Sequence, residues 1–199
     1  MSVSVRGEFD RKTTGLVGVR IDLVDYWDIH NFSDEPREWD YGDWHHAAMG
    51  VELKTSAGPV SVIWTDTFYP YGVEVFSEPI TKFLAMSDDG PERWTVTDHP
   101  EWRSRMGQQV LAVDTHWERL ELGPARYSNG RIAEAARTLE LPAALRFDFA
   151  AGPVWFVAGI PTEAGGVFIP GDEIMVVFTS EAMLRLGFPA GSFTGTPTP

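Results

Sequence analysis

Residues 51–64 read VELKTSAGPVSVIW, and residues 145–158 read LRFDFAAGPVWFVA. Each stretch sets apolar side chains at spacing two, breaks at Ala-Gly-Pro-Val, and resumes with β-branched and aromatic residues. Period-2 alternation marks a strand with one face toward a core, and Gly-Pro marks the turn between two such strands. The echo continues downstream. GVEVFSEPITKFL (72–84) and DEIMVVFTSEAMLRL (172–186) each carry an apolar strand ending in Val-Phe, a Ser-Glu pair and a short helical pattern. A fainter echo lies upstream, where Ile21-Asp22 with Trp27-Asp28 matches Val113-Asp114 with Trp117-Glu118. Internal repetition decides how every other segment is read. The pattern predicts an α+β fold of antiparallel sheet with short helices, built from a duplicated ββββα module.

Working outward, the first half spans 10–90, a joint spans 87–107, the second half spans 108–188, and 189–199 form a mobile tail. Together they make one compact domain. Strands are expected at 15–28, 48–56, 59–66 and 72–76, then at 109–121, 143–150, 153–160 and 173–179. Ser77 is placed to cap a helix running to Met86, and Ser180 to cap one over 181–186. Asp98 and Glu101 have the spacing of a capping box, which predicts a helix from His99 to Met106 ending at Gly107. The Ala-rich stretch 132–139 (IAEAARTL) reads as helical.

Composition bounds the function. The 199 residues carry 29 acidic and 16 basic side chains, a formal charge of −13. A surface of this sign repels phosphate, which counts against nucleic acid and anionic membrane and favours a basic protein or a cationic ligand. There is no cysteine, so disulfides and thiolate metal sites are ruled out. The N-terminal stretch MSVSVRGEFDRKTT has no apolar h-region, and the weakly polar run 150–161 is too short to span a bilayer. A soluble cytoplasmic protein is the expectation.

The most unusual segment is 25–46, DYWDIHNFSDEPREWDYGDWHH, most of it in 29–47, which is read as a long loop beyond the first strand. Its seven acids against one arginine leave a charge of −6, and six aromatics are interleaved with them. Acids steer a basic partner and rigid aromatics anchor it, so Asp34, Glu35, Glu38, Trp39, Asp40, Asp43 and Trp44 are the candidate partner-binding residues. The competing reading has the tryptophans stapling the loop onto the core while the acids face water. Calcium is a weaker option, because these hard oxygen ligands do not follow the EF-hand pattern.

The five histidines, His30, His45, His46, His99 and His116, show no converging metal spacing. His45 and His46 would point to opposite faces of a strand, and His99 fits a helix start. No metal and no cofactor are therefore expected. If 110–121 is a strand, Asp114, His116 and Glu118 share one face. They form the candidate catalytic set, with Asp and His as a base and its orienting carboxylate or as two metal ligands, set against the plainer reading of a solvated polar face. No phosphate-binding glycine loop and no serine nucleophile elbow occur.

The leading expectation is an acidic intracellular binding protein that engages a basic protein, with an immunity-type role as its sharpest form. The alternatives are an enzyme with a cleft between the halves, using His116 and Asp114, and a small-molecule binder with an aromatic-lined pocket.

Overall fold

The computed structural model of the chain describes residues 4–29, 38–85, 90–162 and 167–193. Helix α1 (Val5–Thr14) opens the fold, capped by the Ser4 hydroxyl on the Gly7 N–H. Then follow β1 (Ile21–Asp28), β2 (Trp44–His46), β3 (Gly50–Thr55), β4 (Gly58–Thr65), β5 (Gly72–Phe76), a 3₁₀ turn at Ile80–Lys82, β6 (Glu92–Thr95) and α2 (Pro100–Arg103). The rest of the chain forms β7 (Ala112–Leu122), a small hairpin of β8 (Ala125–Arg126) and β9 (Ile132–Glu134), β10 (Arg137–Asp148) and β11 (Val154–Ala158). It ends with a second small hairpin of β12 (Ile160–Pro161) and β13 (Val167–Phe168), then β14 (Ile174–Val177), α3 (Ser180–Arg185) and a 3₁₀ turn at Ala190–Ser192.

Two five-stranded sheets carry the fold, in the orders β5-β4-β3-β1-β6 and β2-β14-β11-β10-β7. Every neighbouring pair in them is antiparallel. With three short α-helices among the described residues, this is the α+β class the alternation predicts. One apolar cluster draws on both sheets, from Val24, Tyr26, Val51 and Val62 to Leu145, Phe147, Phe156 and Val176, and takes in Trp102 of α2. Strands β11 and β14 are buried along their whole length, which explains why VWFVA and IMVV read as unbroken apolar runs.

Both Ala-Gly-Pro-Val turns join the second and third strands of a four-strand meander: β3 to β4 in β1-β3-β4-β5, and β10 to β11 in β7-β10-β11-β14. Gly58 and Gly152 adopt φ of +112° and +113°, a region that L side chains rarely enter. The likeness is one of strand order. The first meander runs into a 3₁₀ turn and the second into an α-helix. Each sheet also takes an edge strand from elsewhere: β2, from the 25–46 segment, lies beside β14, and β6, from the joint, lies beside β1. The joint is thus an integral part of the first sheet.

Four local expectations are corrected. Residues 77–85 form no α-helix; Met86, the expected end, lies outside the described residues. Pro79 is extended (φ −66°, ψ 144°), and side chains from the sheet take the backbone groups instead: Glu52 accepts from the Ile80 N–H at 2.8 Å, and Ser61 donates to the Glu78 carbonyl at 2.6 Å. Residues 132–139 form no helix: 132–134 are β9, paired with β8, and 137–139 open β10, where 137–141 pair with 118–122 of β7, so cross-strand pairing overrides the helical preference. The N-cap of α2 is His99 and that of α3 is Thr179, so the Asp98 capping box does not form. In the segment expected as a tail, 189–199, Phe193 is buried; residues 194–199 lie outside the described residues.

Candidate functional site

Strand β2 decides the site. Its pairing with β14 places His45 opposite Val176, and alternation along the strand then sends His45 inward and His46 outward. His45 is fully buried, whereas His46 bonds Glu173 at 2.9 Å near the surface. The neighbouring Trp39 turns inward as well, packing edge-on against Tyr26, His45 and His99 with ring centroids 5.6, 5.0 and 5.5 Å away.

A chain of hydrogen bonds runs beneath these rings. The Trp102 indole N–H donates to Tyr26 Oη at 2.6 Å, and Tyr26 Oη meets His45 Nδ1 at 2.8 Å. Indole nitrogen only donates, so the Tyr26 proton is free to go to His45 Nδ1. In the neutral ring this leaves the imidazole proton on Nε2. Burial pushes the Tyr26 hydroxyl pKa well above its usual value. Burial and the adjacent His99 push His45 down to about 4, against the pull of Asp40, so His45 is neutral at pH 7.

Asp40 closes the group. Its carboxylate lies 3.7 Å from His45 Nε2 and 3.2 Å from His99 Nε2. The Gly42 N–H donates to Asp40 Oδ1 at 2.8 Å and, ahead of the two imidazoles, holds its pKa below the ordinary carboxylate value. Asp40, His45 and His99 each offer a ligand atom, all within 4.8 Å of one another. The expectation that no histidines converge is therefore overturned. The pair that converges is His45 with His99, brought together by β2 and α2, and not His45 with His46.

The other loop candidates are dispersed. Asp34 and Glu35 lie outside the described residues. Glu38 is exposed. Asp43 pairs with Arg185 at 2.6 Å. Trp44 stacks on Tyr41, ring centroids 4.3 Å apart, and packs against the core cluster. Trp39 and Trp44 are thus committed to packing within the chain. Trp39→Ala should lower the thermal midpoint by several degrees, as loss of a large, partly buried ring does; a midpoint within a degree of wild type would return Trp39 to the surface role.

The candidate catalytic set is only partly assembled. His116 bonds Glu118 at 3.2 Å and the Ser192 carbonyl at 3.2 Å, and it packs against Phe188 and Phe193. Asp114 instead lies beside the buried Arg146–Asp148 pair, and burial raises its pKa. It lines a cavity of about 240 Å³ with Arg6, Asp10 and Thr13, and His116 is not among that cavity's lining residues.

A concave aromatic site that the sequence reading missed lies on the first sheet. Trp64, Tyr69, Tyr71 and Phe83 wall a groove of about 630 Å³, with Met49 and Leu84 in its lining and Asp66 as its carboxylate. The legible signal was WTDTFYPYG (64–72), an aromatic-rich connection between two strands. The Trp64 indole donates to the Ala48 carbonyl at 3.2 Å, which fixes the ring beside the chain leaving β2. Among the described residues, no helix is long and apolar enough to cross a membrane. No protein-family model, curated protein or solved structure matches the chain, so its functional reading rests on the residues themselves.

Proposed function

We propose that the chain is a binding protein for a basic protein partner, and that its anchors are the groove aromatics. The observation that carries this reading is the groove itself: four aromatic side chains around one carboxylate, Asp66, on a chain of formal charge −13. Aromatic faces attract a Lys ammonium or an Arg guanidinium, and a carboxylate at the same place fixes the cation's position. The exposed acids Glu38, Asp40 and Asp43 act at longer range, raising the encounter rate of a positively charged surface. This reading keeps the acidic steering expected of the 25–46 segment and moves the aromatic anchors from Trp39 and Trp44 to Trp64, Tyr69, Tyr71 and Phe83.

The test is a titration of the full chain with an Arg- and Lys-rich peptide, followed by tryptophan fluorescence and calorimetry at several salt concentrations. A glutamate-rich peptide of the same length is the control. The basic peptide should bind and weaken as salt rises. Tyr69→Ala and Asp66→Asn should each reduce affinity by roughly 5- to 30-fold, the range of a desolvated cation–aromatic contact. Equal binding of the acidic peptide, or unchanged affinity in both variants, would refute the reading.

A further inference from the structure

One buried imidazole nitrogen in the group of Asp40, His45 and His99, His45 Nε2, has no hydrogen-bond partner among the described residues. An orphaned polar atom in the interior costs free energy unless something else satisfies it. His45 is fully buried, and its orphan nitrogen lies 3.7 Å from the Asp40 carboxylate. A second, exposed edge of Asp40 leads to solvent: its side chain is 42% exposed. The group thus has an interior end and a mouth.

We propose that Asp40, His45 and His99 bind one divalent transition-metal ion of the zinc class, with at least one coordination position open toward solvent. The ligand chemistry fits. Two imidazoles and one carboxylate suit zinc, cobalt or nickel better than magnesium or calcium, which prefer all-oxygen sites. The distances fit as well. Tetrahedral zinc with ligands at about 2.0–2.1 Å sets its ligand atoms about 3.3–3.4 Å apart. The Asp40–His99 and Asp40–His45 separations, 3.2 and 3.7 Å, bracket that value.

The surroundings complete the site. Tyr26 Oη sits 2.8 Å from His45 Nδ1. With Nε2 on a metal, Nδ1 would carry the ring proton and face Tyr26 Oη, the atom that already orients the ring. A ligating histidine is ordinarily held by such a bond. Trp102 fixes Tyr26 in turn. Trp39 and Phe178 pack edge-on against His45 and give the inner end an apolar wall. The ion would clip the segment 38–46 to α2, so it would order the same segment that carries Glu38, Asp40 and Asp43.

The experiment uses the full chain without an affinity tag, stripped with a chelator and titrated with Zn²⁺ by calorimetry. Co²⁺ serves as the spectroscopic probe. One ion per chain should bind with micromolar or tighter affinity. Saturation should raise the thermal midpoint by roughly 5–10 °C, and bound Co²⁺ should show the intense visible absorption of a four- or five-coordinate ion. Asp40→Asn and His99→Ala, both at partly exposed positions, should each weaken binding at least about 100-fold while circular dichroism shows them folded. His46→Ala, on the outward side of the same strand, should bind as wild type does. Three outcomes overturn the proposal: no binding at one equivalent per chain, equal affinity in Asp40→Asn and His99→Ala, or loss of binding in His46→Ala. The Co²⁺ spectrum of the wild-type chain decides the matter even if a variant fails to fold, since the pale spectrum of the aqueous ion would exclude the site.

Discussion

Trp102→Ala is expected to cost about 3–5 kcal/mol of folding stability, the range for deleting a fully buried indole. In a chain of this size, that lowers the thermal midpoint by about 10 °C or more. Trp102 is wholly buried, and its ring packs edge-on against Phe178 at 5.4 Å and tilted over Phe156 at 6.4 Å. Its indole N–H is also the donor that fixes Tyr26. The side chain therefore joins the short helix α2 to both sheets and orients His45 through one hydroxyl. Trp102→Phe keeps most of the ring and loses the donor, and should cost only about 1–2 kcal/mol. Where Trp102→Ala remains folded, zinc affinity should fall by roughly 10- to 100-fold, as for other losses behind a metal ligand. Urea unfolding with a common slope for the three proteins measures the first effect. A midpoint within 2 °C of wild type for Trp102→Ala would remove the residue from its central place.

Gly50→Ala is the second large effect, expected at about 2–5 kcal/mol. Gly50 has a φ of +139°, and a Cβ built there lies 2.6 Å from Ile63 Cγ2 and 2.7 Å from the Val62 carbonyl oxygen. The side chain at Ile63 could shift. The Val62 carbonyl cannot, because Val62 is paired with Val51 in the β3–β4 ladder. Overpacking of roughly 1–3 kcal/mol adds to the roughly 1–2 kcal/mol of placing a Cβ in the left-handed region. Gly107→Ala separates the two terms: its φ is +73°, but nothing lies within 4 Å of the added Cβ. It should show only the backbone penalty. Equal losses at both positions would mean that the crowding at Gly50 relaxes.

Much of the sheet structure was legible because strand signals are local. The alternation in 48–56, the apolar runs at 153–160 and 173–179, and the Gly-Pro turns depend on side chains a few residues apart. The local signals that failed did so where a distant group competed for the same backbone. Glu52 and Ser61 took the polar groups that a helix over 77–86 would have used. The β7–β10 ribbon took Arg137, Thr138 and Leu139, and the β8–β9 hairpin took Ile132–Glu134. His99 became the N-cap residue of α2, without capping it, and its ring faces Asp40.

The α+β class, the positions of the two Ala-Gly-Pro-Val turns, the strong negative charge and the absence of thiol chemistry are all readable along the chain. Each follows from composition or from neighbours along the chain. Only the tertiary structure decided which histidines meet. The strand rule showed that His45 and His46 must diverge, and so pointed one of them inward, but it named no partner. The partners arrive through the pairing of β2 with β14 and the packing of α2, through Trp102, against Tyr26. Such contacts between remote segments leave no spacing in the chain to read, because they are set by how two sheets close on one core.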